Sequence, residues 1–340
     1  MNSKERLTNR LRGQAVDRPP NFDIMMAFAA HHINQPLSRY YLDHRVLAEA
    51  NLAVREAFQL DILQTISDPY REAADLGLEV EFPEDGLPLR RKTLLAEEAD
   101  LGRIKPVDPS RGRRMSDRIE AIRYLRERAG GQAPVMGWVE GALAGVNVLR
   151  GDSALMMDLY DRPGWVKDCL EFMVEIEIAF ARAQIEAGAD IIGLGDAIAS
   201  QISPAMYAEF ALPFEQRIFG AVHEMGAVAR LHICGNTTRI LALMGQSGAD
   251  IIDLDWMVSL RSAVELYGEK GPAVCGNFDP VRVMLRGTPS EVRETVLNCV
   301  AQGNHRSINA AGCEIPDGTP LENLHAQSQA LRECSSPPRH

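Results

Sequence analysis

The chain has 340 residues, of which 46% are hydrophobic, and it carries a formal net charge of −11 at pH 7. A chain of this length can bury a sizeable core, either as one large α/β barrel or as two domains. The negative charge disfavours nucleic acids and anionic membranes as partners, because it attracts neither. No apolar run approaches the roughly 20 residues that span a bilayer, and residues 1–19 do not resemble a signal peptide, so we expect a cytoplasmic protein.

The predicted elements alternate between short apolar runs and longer segments with helical spacing. The first element is an amphipathic helix, SKERLTNRLRG, which we expect to pack on the outside of the barrel. Eight apolar runs follow, and each is expected to form a strand: residues 22–26, 61–66, 134–139, 190–194, 227–233, 250–254, 272–275 and 307–310. Because helical segments follow most of these strands, the pattern predicts the α/β class and a (β/α)8 TIM barrel.

A long insertion interrupts this alternation after the second predicted strand. Residues 69–132 are rich in charge and contain EVEFPEDGLPLRR, which predicts a small antiparallel excursion and a helix on the rim of the barrel. An insertion in that place would be able to serve as a lid. We expect residues 1–334 to form one barrel domain and residues 335–340 to form a disordered tail.

The most specific local signal is the segment RLHICGN at the end of the fifth predicted strand. His232 and Cys234 are two residues apart, so their side chains point to the same face of that strand. Imidazole and thiolate are common zinc ligands, and a catalytic zinc typically has three protein ligands and one open position. The pair therefore indicates a metal site. The alternative is that Cys234 is a small buried residue and His232 an ordinary core histidine.

A third ligand has to come from another strand end. Cys313, in NAAGCEIP, follows the eighth predicted strand, and Asp255, in DLDW, follows the sixth. Both are candidates, because the carboxyl ends of all the strands of a parallel barrel meet at one mouth. Cys275 is expected in the core. The other cysteines lie on predicted helices and are not expected to bind metal: Cys169, Cys299 and Cys334.

Further polar and apolar side chains are expected near the same mouth. The candidates for catalysis are Asp68, Glu140, Asp196 and Asn277, and Asn236 is a further polar residue at a strand end. Each carboxylate is explained equally well as a helix cap or a solvated loop residue, and Asp68 also precedes a proline, which suits a turn. The apolar candidates for binding a cofactor are Met25, Met26 and Trp138, and together with Phe28 they would suit an uncharged aromatic or quaternary-amine substrate. Ordinary barrel packing is the alternative for these four.

The sequence resembles the uroporphyrinogen decarboxylase superfamily and, within it, the corrinoid-dependent methyltransferases that contain zinc. The resemblance covers most of the chain and includes these segments: KERLTNRLRGQAVDRPP, GWVEGALAGVNVLRG, GADIIGLGDAIASQISPAMYAEFALPFEQRI, HICGNTTRIL, GADIIDLDW, GNFDPVRVMLRGTPSEV and AAGCEIPDGTPLENLHA. His232, Cys234 and Cys313 match the methyltransferase branch specifically. The resemblance implies that these three residues bind zinc. It also implies that Asp255 is an exchangeable fourth ligand, where relatives carry glutamate.

The same resemblance implies a function. The chain would move a methyl group between a corrinoid (cobalamin) held by a partner protein and a small donor or acceptor, such as a thiol, a tetrahydrofolate, or a methoxylated or methylamine compound. Asp196 and Glu140 would orient the small molecule, and Asn277 would hydrogen-bond to it. The direction of transfer and the oligomeric state stay open, with a homodimer as one option.

Two other functions remain as alternatives. The first is a metal-free lyase like the decarboxylases, in which Asp68 would stand at the position that resembles their pyrrole-binding aspartate. This branch is disfavoured, because NFDIMMAFAAHHINQP replaces the arginine-rich RQAGRYL segment expected after DRPP. A multiply anionic tetrapyrrole would then lack its charge partners. The second alternative is a non-catalytic module that docks a corrinoid protein and contains a structural zinc.

Overall fold

Short apolar segments pair side by side in the order in which they occur along the chain. In the computed structural model, which describes residues 1–334, six of them form one curved parallel sheet and two form a separate antiparallel hairpin, β2–β3. The strands are β1 (Leu63–Gln64), β2 (Val80–Glu81), β3 (Leu89–Arg90), β4 (Val135–Glu140), β5 (Ile191–Gly195), β6 (Val228–His232), β7 (Ile251–Asp253) and β8 (Ala273–Cys275). The predicted tail, residues 335–340, lies outside the described residues.

Isolated bridges join the two ends of this sheet. Cys275 pairs with Ile308 and Asn309 pairs with Asn21, both in parallel, and the Asp61 amide donates to the Asn21 carbonyl at 2.9 Å. The strands therefore close into a ring, which confirms the predicted α/β barrel. The prediction of regular strands at residues 22–26 and 307–310 was wrong, since these parts of the chain have only isolated bridges, at Asn21 just before the first segment and at Ile308 and Asn309 in the second.

In these two segments, hydrogen bonds to side chains replace the backbone hydrogen bonds of regularly paired strands. The Asp23 carboxylate accepts from the Ala311 amide at 2.7 Å, and the Gln64 side chain donates to the Asp23 carbonyl at 2.8 Å. The Glu314 carboxylate accepts from the Met26 amide at 3.1 Å. Backbone groups that are satisfied in this way do not need strand partners, so the chain stays extended without a regular ladder.

The α-helices lie around the barrel and across its amino-terminal end. They are α1 (Ser3–Leu11), α2 (Ala27–His32), α3 (Leu37–Leu42), α4 (His44–Phe58), α5 (Arg71–Asp75), α6 (Arg113–Ala129), α7 (Ala142–Arg150), α8 (Asp152–Asp161), α9 (Pro163–Glu186), α10 (Pro204–Phe210), α11 (Leu212–Glu224), α12 (Leu241–Met244), α13 (Leu260–Tyr267), α14 (Pro289–Gln302) and α15 (Leu321–Glu333). Short 3-10 helices span Glu98–Arg103 and Ala197–Gln201, and a π-helix spans Pro280–Leu285. Within residues 1–334, no helix is both long enough and apolar enough to cross a bilayer.

The amino-terminal helix α1 was predicted correctly, but its predicted position was wrong. Instead of packing on the outer side, it lies across the amino-terminal end of the barrel, where Leu7 joins the interior cluster with Phe22 and Met136. The buried Arg6 side chain pairs with Asp61 at 2.5 Å, directly ahead of β1. Helix α1 therefore closes the amino-terminal end of the barrel, opposite to the predicted metal site.

The insertion after β1 contains the predicted hairpin and helix. Helix α6 packs against α4 and β4, which is the position of an ordinary barrel helix, so the added part is shorter than residues 69–132 and ends before α6. Arg90 ties the hairpin to the barrel by donating to the Val148 carbonyl at 2.5 Å. The role of the insertion as a lid stays a prediction.

Candidate metal centre

Three of the predicted ligands lie together at the carboxyl-terminal mouth of the barrel. His232 is the last residue of β6, Cys234 follows it by two residues, and Cys313 follows the segment that closes the barrel. His232 Nε2 lies 3.0 Å from Cys234 Sγ, which lies 3.6 Å from Cys313 Sγ. All three donor atoms fall within 4.8 Å of one another. Ligands of one tetrahedral zinc, with bonds of about 2.0–2.3 Å, stand roughly 3.3–3.8 Å apart.

Close packing between loops sets the positions of the two cysteines. Gly235 adopts φ 94° directly after Cys234, a conformation that glycine reaches without strain. Gly312, directly before Cys313, lies so near the next loop that a Cβ atom there would come within 2.4 Å of the Trp256 amide nitrogen. Each cysteine therefore sits beside a glycine that allows its loop to turn or to approach its neighbour.

Asp255, the predicted fourth ligand, braces the loop of Cys234. Its Oδ2 atom accepts from the Gly235 amide at 2.9 Å, and its Oδ1 atom accepts from the Met257 amide at 3.1 Å. In the part of the chain that the structure describes, the group of converging donor atoms contains His232, Cys234 and Cys313 but not Asp255. Its role as an exchangeable ligand stays a prediction.

Sequence analysis missed Asp253, the closest polar neighbour of the His232 ring on the side away from the cysteines. Asp253 ends β7 in register with His232, and its Oδ2 atom lies 2.8 Å from His232 Nδ1. Arg230 Nε donates to Asp253 Oδ1 at 2.8 Å. The signal was present in the sequence, because Asp253 precedes the candidate ligand Asp255 by two residues, just as Arg230 precedes His232 by two, and residues two apart in a strand point to the same face.

The electrostatics of the centre favour bound cations. The hydrogen bond from Cys234, helped by the neighbouring His232, outweighs burial and lowers the pKa of the Cys313 thiol to about 4. Burial alone would raise the pKa of Asp253, but the charge of Arg230 lowers it below the ordinary value. One imidazole and two sulfurs, with a thiolate present at neutral pH, suit a metal ion that prefers nitrogen and sulfur donors.

Comparison with known families identifies the chain. The family model described as Uroporphyrinogen decarboxylase (URO-D) matches residues 2–334. The chain belongs to the uroporphyrinogen decarboxylase family. This membership confirms the resemblance found in the sequence.

Among curated relatives, the Methylcobamide:CoM methyltransferase MtbA of Methanosarcina mazei is 30% identical, over 98% of this chain and 97% of the relative. The MtbA of Methanosarcina acetivorans is 29% identical over the same shares. A uroporphyrinogen decarboxylase of Trichormus variabilis is 28% identical, over 94% of this chain and 93% of the relative. The methyltransferase branch, which the sequence resembles, and the decarboxylase branch are thus both represented among these relatives.

Solved structures show the same fold. A methyltransferase from Methanosarcina mazei superposes with a TM-score of 0.89 at 24% identity, covering 98% of this chain and 99% of that one. A B12-independent methionine synthase from Shewanella sp. W3-18-1 superposes with a TM-score of 0.60 at 14% identity, covering 94% and 98%. These likenesses confirm the barrel and its topology.

In this family member, two of the predicted carboxylates form buried ion pairs. Glu140 accepts from Arg71 at 2.6 Å, and Asp68 accepts from Arg114 at 2.6 Å. Burial, opposed by Arg71, raises the pKa of Glu140 to about 7. The charge of Arg114 overcomes burial and lowers the pKa of Asp68. Both carboxylates already have cationic partners, and their predicted catalytic roles stay predictions.

Asp196 is buried behind the mouth. Neither of its carboxylate oxygens has a hydrogen-bond partner among residues 1–334. It packs against Gly141 at the start of α7, where a Cβ atom would come within 2.4 Å of Asp196 Oδ2. Burial, together with the nearby charges of Glu215 and Glu140, raises the pKa of Asp196 well above its ordinary value. Its orienting role stays a prediction.

The two predicted asparagines organise loops of the mouth. The Asn277 side chain donates to the carbonyls of Asp255 at 3.0 Å and Val258 at 2.5 Å, which ties the loops after β7 and β8 together. Asn236 Oδ1 accepts from the Thr238 amide at 3.2 Å within its own loop. Hydrogen bonding of Asn277 to a substrate stays a prediction.

Most of the predicted apolar mouth residues pack inside the protein. Met25 is fully buried and Trp138 nearly so, and the Trp138 ring lies 6.0 Å from the His232 ring. Phe28 packs edge-on against Phe58, between α2 and α4. Met26 keeps part of its surface exposed. Packing thus accounts for three of the four, and binding of a cofactor or substrate by these residues stays a prediction.

Proposed function

We propose that this chain is a zinc-dependent methyltransferase that moves a methyl group between a corrinoid carried by a partner protein and a small thiol or other methyl donor or acceptor. The observation that carries the proposal is the convergence of His232 Nε2 with the sulfurs of Cys234 and Cys313 within 4.8 Å. The similarity to methyltransferases named for methylcobamide and CoM supports the reaction class. We keep the cytoplasmic location, the single domain over residues 1–334 and the homodimer as predictions.

The donor set fits zinc. One imidazole nitrogen and two thiolate sulfurs are typical zinc ligands, and three protein ligands leave one position for a substrate. His232, Cys234 and Cys313 would hold the ion. When bound there, zinc stabilises the thiolate form of a coordinated thiol at neutral pH and so supplies a strong nucleophile without a separate base.

The residues of the chain determine how a substrate reaches this position. His232 is buried, whereas Cys234 and Cys313 are partly exposed, so the accessible side of the centre is the side of the two sulfurs. The two thiolates offset the charge of a dication, which leaves a bound sulfur electron-rich. Transfer to an acceptor thiol would form a sulfur–carbon bond and break the cobalt–carbon bond, whose electron pair would stay with the corrinoid cobalt. The same residues serve the reverse transfer.

Metal analysis and zinc-edge absorption test this function. We expect the purified protein to hold about one zinc per chain, and the variants Cys234→Ser and Cys313→Ser to lose it. Cys334→Ser is the matched control, because Cys334 lies at the end of α15 outside the group of converging donors. A thiol substrate should add a sulfur neighbour to the zinc.

Two results would instead support the alternatives. Full activity of a zinc-free protein after chelation would point to a metal-free lyase. A closed four-ligand zinc shell that no thiol or methylated compound alters would point to a docking module without turnover. Either result would contradict the proposed methyl transfer.

A further inference from the structure

Three buried polar side chains form a line from the barrel interior to the candidate metal centre. Arg230 and His232 alternate along β6, and Asp253 stands beside His232 at the end of β7. Their exposed fractions are 1%, 7% and 5%, respectively. Water therefore does not compete for the hydrogen bonds that join them, and those bonds control the orientation of each side chain.

Asp253 uses both carboxylate oxygens in this line. Arg230 Nε donates to Oδ1 at 2.8 Å, and Oδ2 lies 2.8 Å from His232 Nδ1. An ionised carboxylate only accepts hydrogen bonds, so Nδ1 is the ring nitrogen that carries the proton. With Nδ1 protonated, Nε2 is the ring nitrogen left to bind a metal ion, and this atom stands 3.0 Å from Cys234 Sγ. The contact with Asp253 thus selects the tautomer with the proton on Nδ1, which leaves Nε2 to face the two sulfurs.

Arg230 supports Asp253 from below. Its guanidinium group lies 5.4 Å from the centre of the Phe22 ring, and its Nη2 atom donates to the Phe22 carbonyl at 3.3 Å. A carboxylate left without a cation at this depth would be costly. The positive charge of Arg230 cancels the negative charge of Asp253. The Arg230–Asp253 pair therefore orients His232 without changing the net charge of the centre, in which two thiolates would cancel the charge of a dication.

We propose that Asp253 is a positioning residue that acts through His232, fixing its ring for metal binding, and that Arg230 holds Asp253 in place. This proposal rests on the zinc centre proposed above and adds to it a partner outside the ligand set. Such partners of a metal-bound histidine typically change metal affinity by about 10- to 100-fold when they are replaced.

The test compares Asp253→Asn with Asp250→Asn. Asp250 precedes β7 and forms a similar contact, with Oδ2 lying 3.0 Å from His223 Nε2, but at the solvent-exposed opposite end of the barrel. Zinc affinity is measured by competition with a chromophoric chelator. We expect Asp253→Asn to bind zinc about 10- to 100-fold more weakly and Asp250→Asn to bind it like the wild type. Equal affinities for both variants and the wild type would overturn the proposal.

A double-mutant cycle separates positioning from a general structural effect. In a His232→Ala background, Asp253→Asn should cause no further loss of zinc affinity, because the residue through which Asp253 acts is absent. An undiminished further loss would overturn the proposal.

Nitrogen NMR of histidine side chains in the zinc-loaded wild-type protein provides a test that needs no variant. We expect His232 to have a protonated Nδ1 and a metal-bound Nε2. The opposite arrangement would overturn the proposal. Failure of the proposed function looks different, since the wild type would then not compete with the chelator for zinc.

Discussion

Cys313 Sγ lies 3.6 Å from Cys234 Sγ, although the two residues are 79 positions apart in the chain. The barrel brings them together because each follows a segment whose carboxyl end opens on the same mouth. The spacing between the two sulfurs depends on the loops that carry them, and the first predictions therefore concern those loops.

Replacing Gly312 with alanine should disturb the metal centre. The new Cβ atom would come within 2.4 Å of the Trp256 amide nitrogen, a backbone atom that cannot rotate away. We expect a loss of stability of about 1–3 kcal/mol and weaker zinc binding, measured by urea unfolding and chelator competition. Gly220→Ala is the control, because a Cβ atom on that α11 glycine meets nothing within 4 Å. Equal zinc affinity in the two variants would contradict this account of Gly312.

Two roles of Asp255 can be distinguished by experiment: bracing the loop of Cys234 and binding zinc. Because its carboxylate accepts from the Gly235 and Met257 amides, Asp255→Ala should loosen the loop of Cys234 and cost about 1–3 kcal/mol for the unpaired amides. Asp255→Asn keeps one acceptor oxygen and should retain more of the zinc affinity than Asp255→Ala. Zinc-edge absorption provides the decisive comparison. If Asp255→Asn removes an oxygen neighbour from the substrate-free zinc, the carboxylate is a ligand and bracing is not its main role.

The buried carboxyl of Glu215 should make stability depend on pH. Tyr207 donates to it at 2.5 Å, and burial raises the pKa of Glu215 to about 7 from 4.5. Below pH 4.5 the group is protonated in both the folded and unfolded states. Between pH 4.5 and about 7 only the unfolded state releases the proton, so the folded state loses stability as pH rises.

Glu215→Gln removes this titration while keeping an oxygen for Tyr207. As the pH rises from 4.5 to 7, the unfolding free energy of the variant should therefore increase relative to that of the wild type by on the order of 3 kcal/mol. Urea unfolding at several pH values measures the difference. A constant difference between the two proteins across that range would show that Glu215 does not hold its proton in the folded state.

The position of α1 predicts the effect of truncating Leu7. This side chain fills the amino-terminal end of the barrel, so Leu7→Ala should lower the free energy of unfolding by about 2–5 kcal/mol. Leu266→Ala, at a position that is 51% exposed on α13, should cost less than about 0.5 kcal/mol. Zinc affinity of the folded Leu7→Ala variant should equal that of the wild type, because the two ends of the barrel are separate. A small effect at Leu7 would mean that α1 packs outside the barrel.

The sequence by itself determined the class of fold and the three candidate ligands. Alternating apolar and helical segments predict a parallel barrel, and the two-residue period of a strand puts His232 and Cys234 on one face. The position of Cys313 after the last predicted strand indicates the same mouth. Local periodicity and the common polarity of parallel strands are enough for these inferences, but they leave Cys313 and Asp255 as equal candidates for the third ligand. It is the resemblance to the zinc-containing methyltransferases that implies Cys313.

Only the tertiary structure decided which polar groups already have partners. Asp68 is paired with Arg114, and Asp253, the last residue of β7, contacts the His232 ring, whereas Asp255, two residues further on, does not. Periodicity gives the direction of a side chain, but not the cation or amide that a distant segment brings to it. Hydrogen bonds and ion pairs of that kind form only when the donor–acceptor distance is right to within a few tenths of an ångström. Packing sets that distance, and a linear pattern does not contain it.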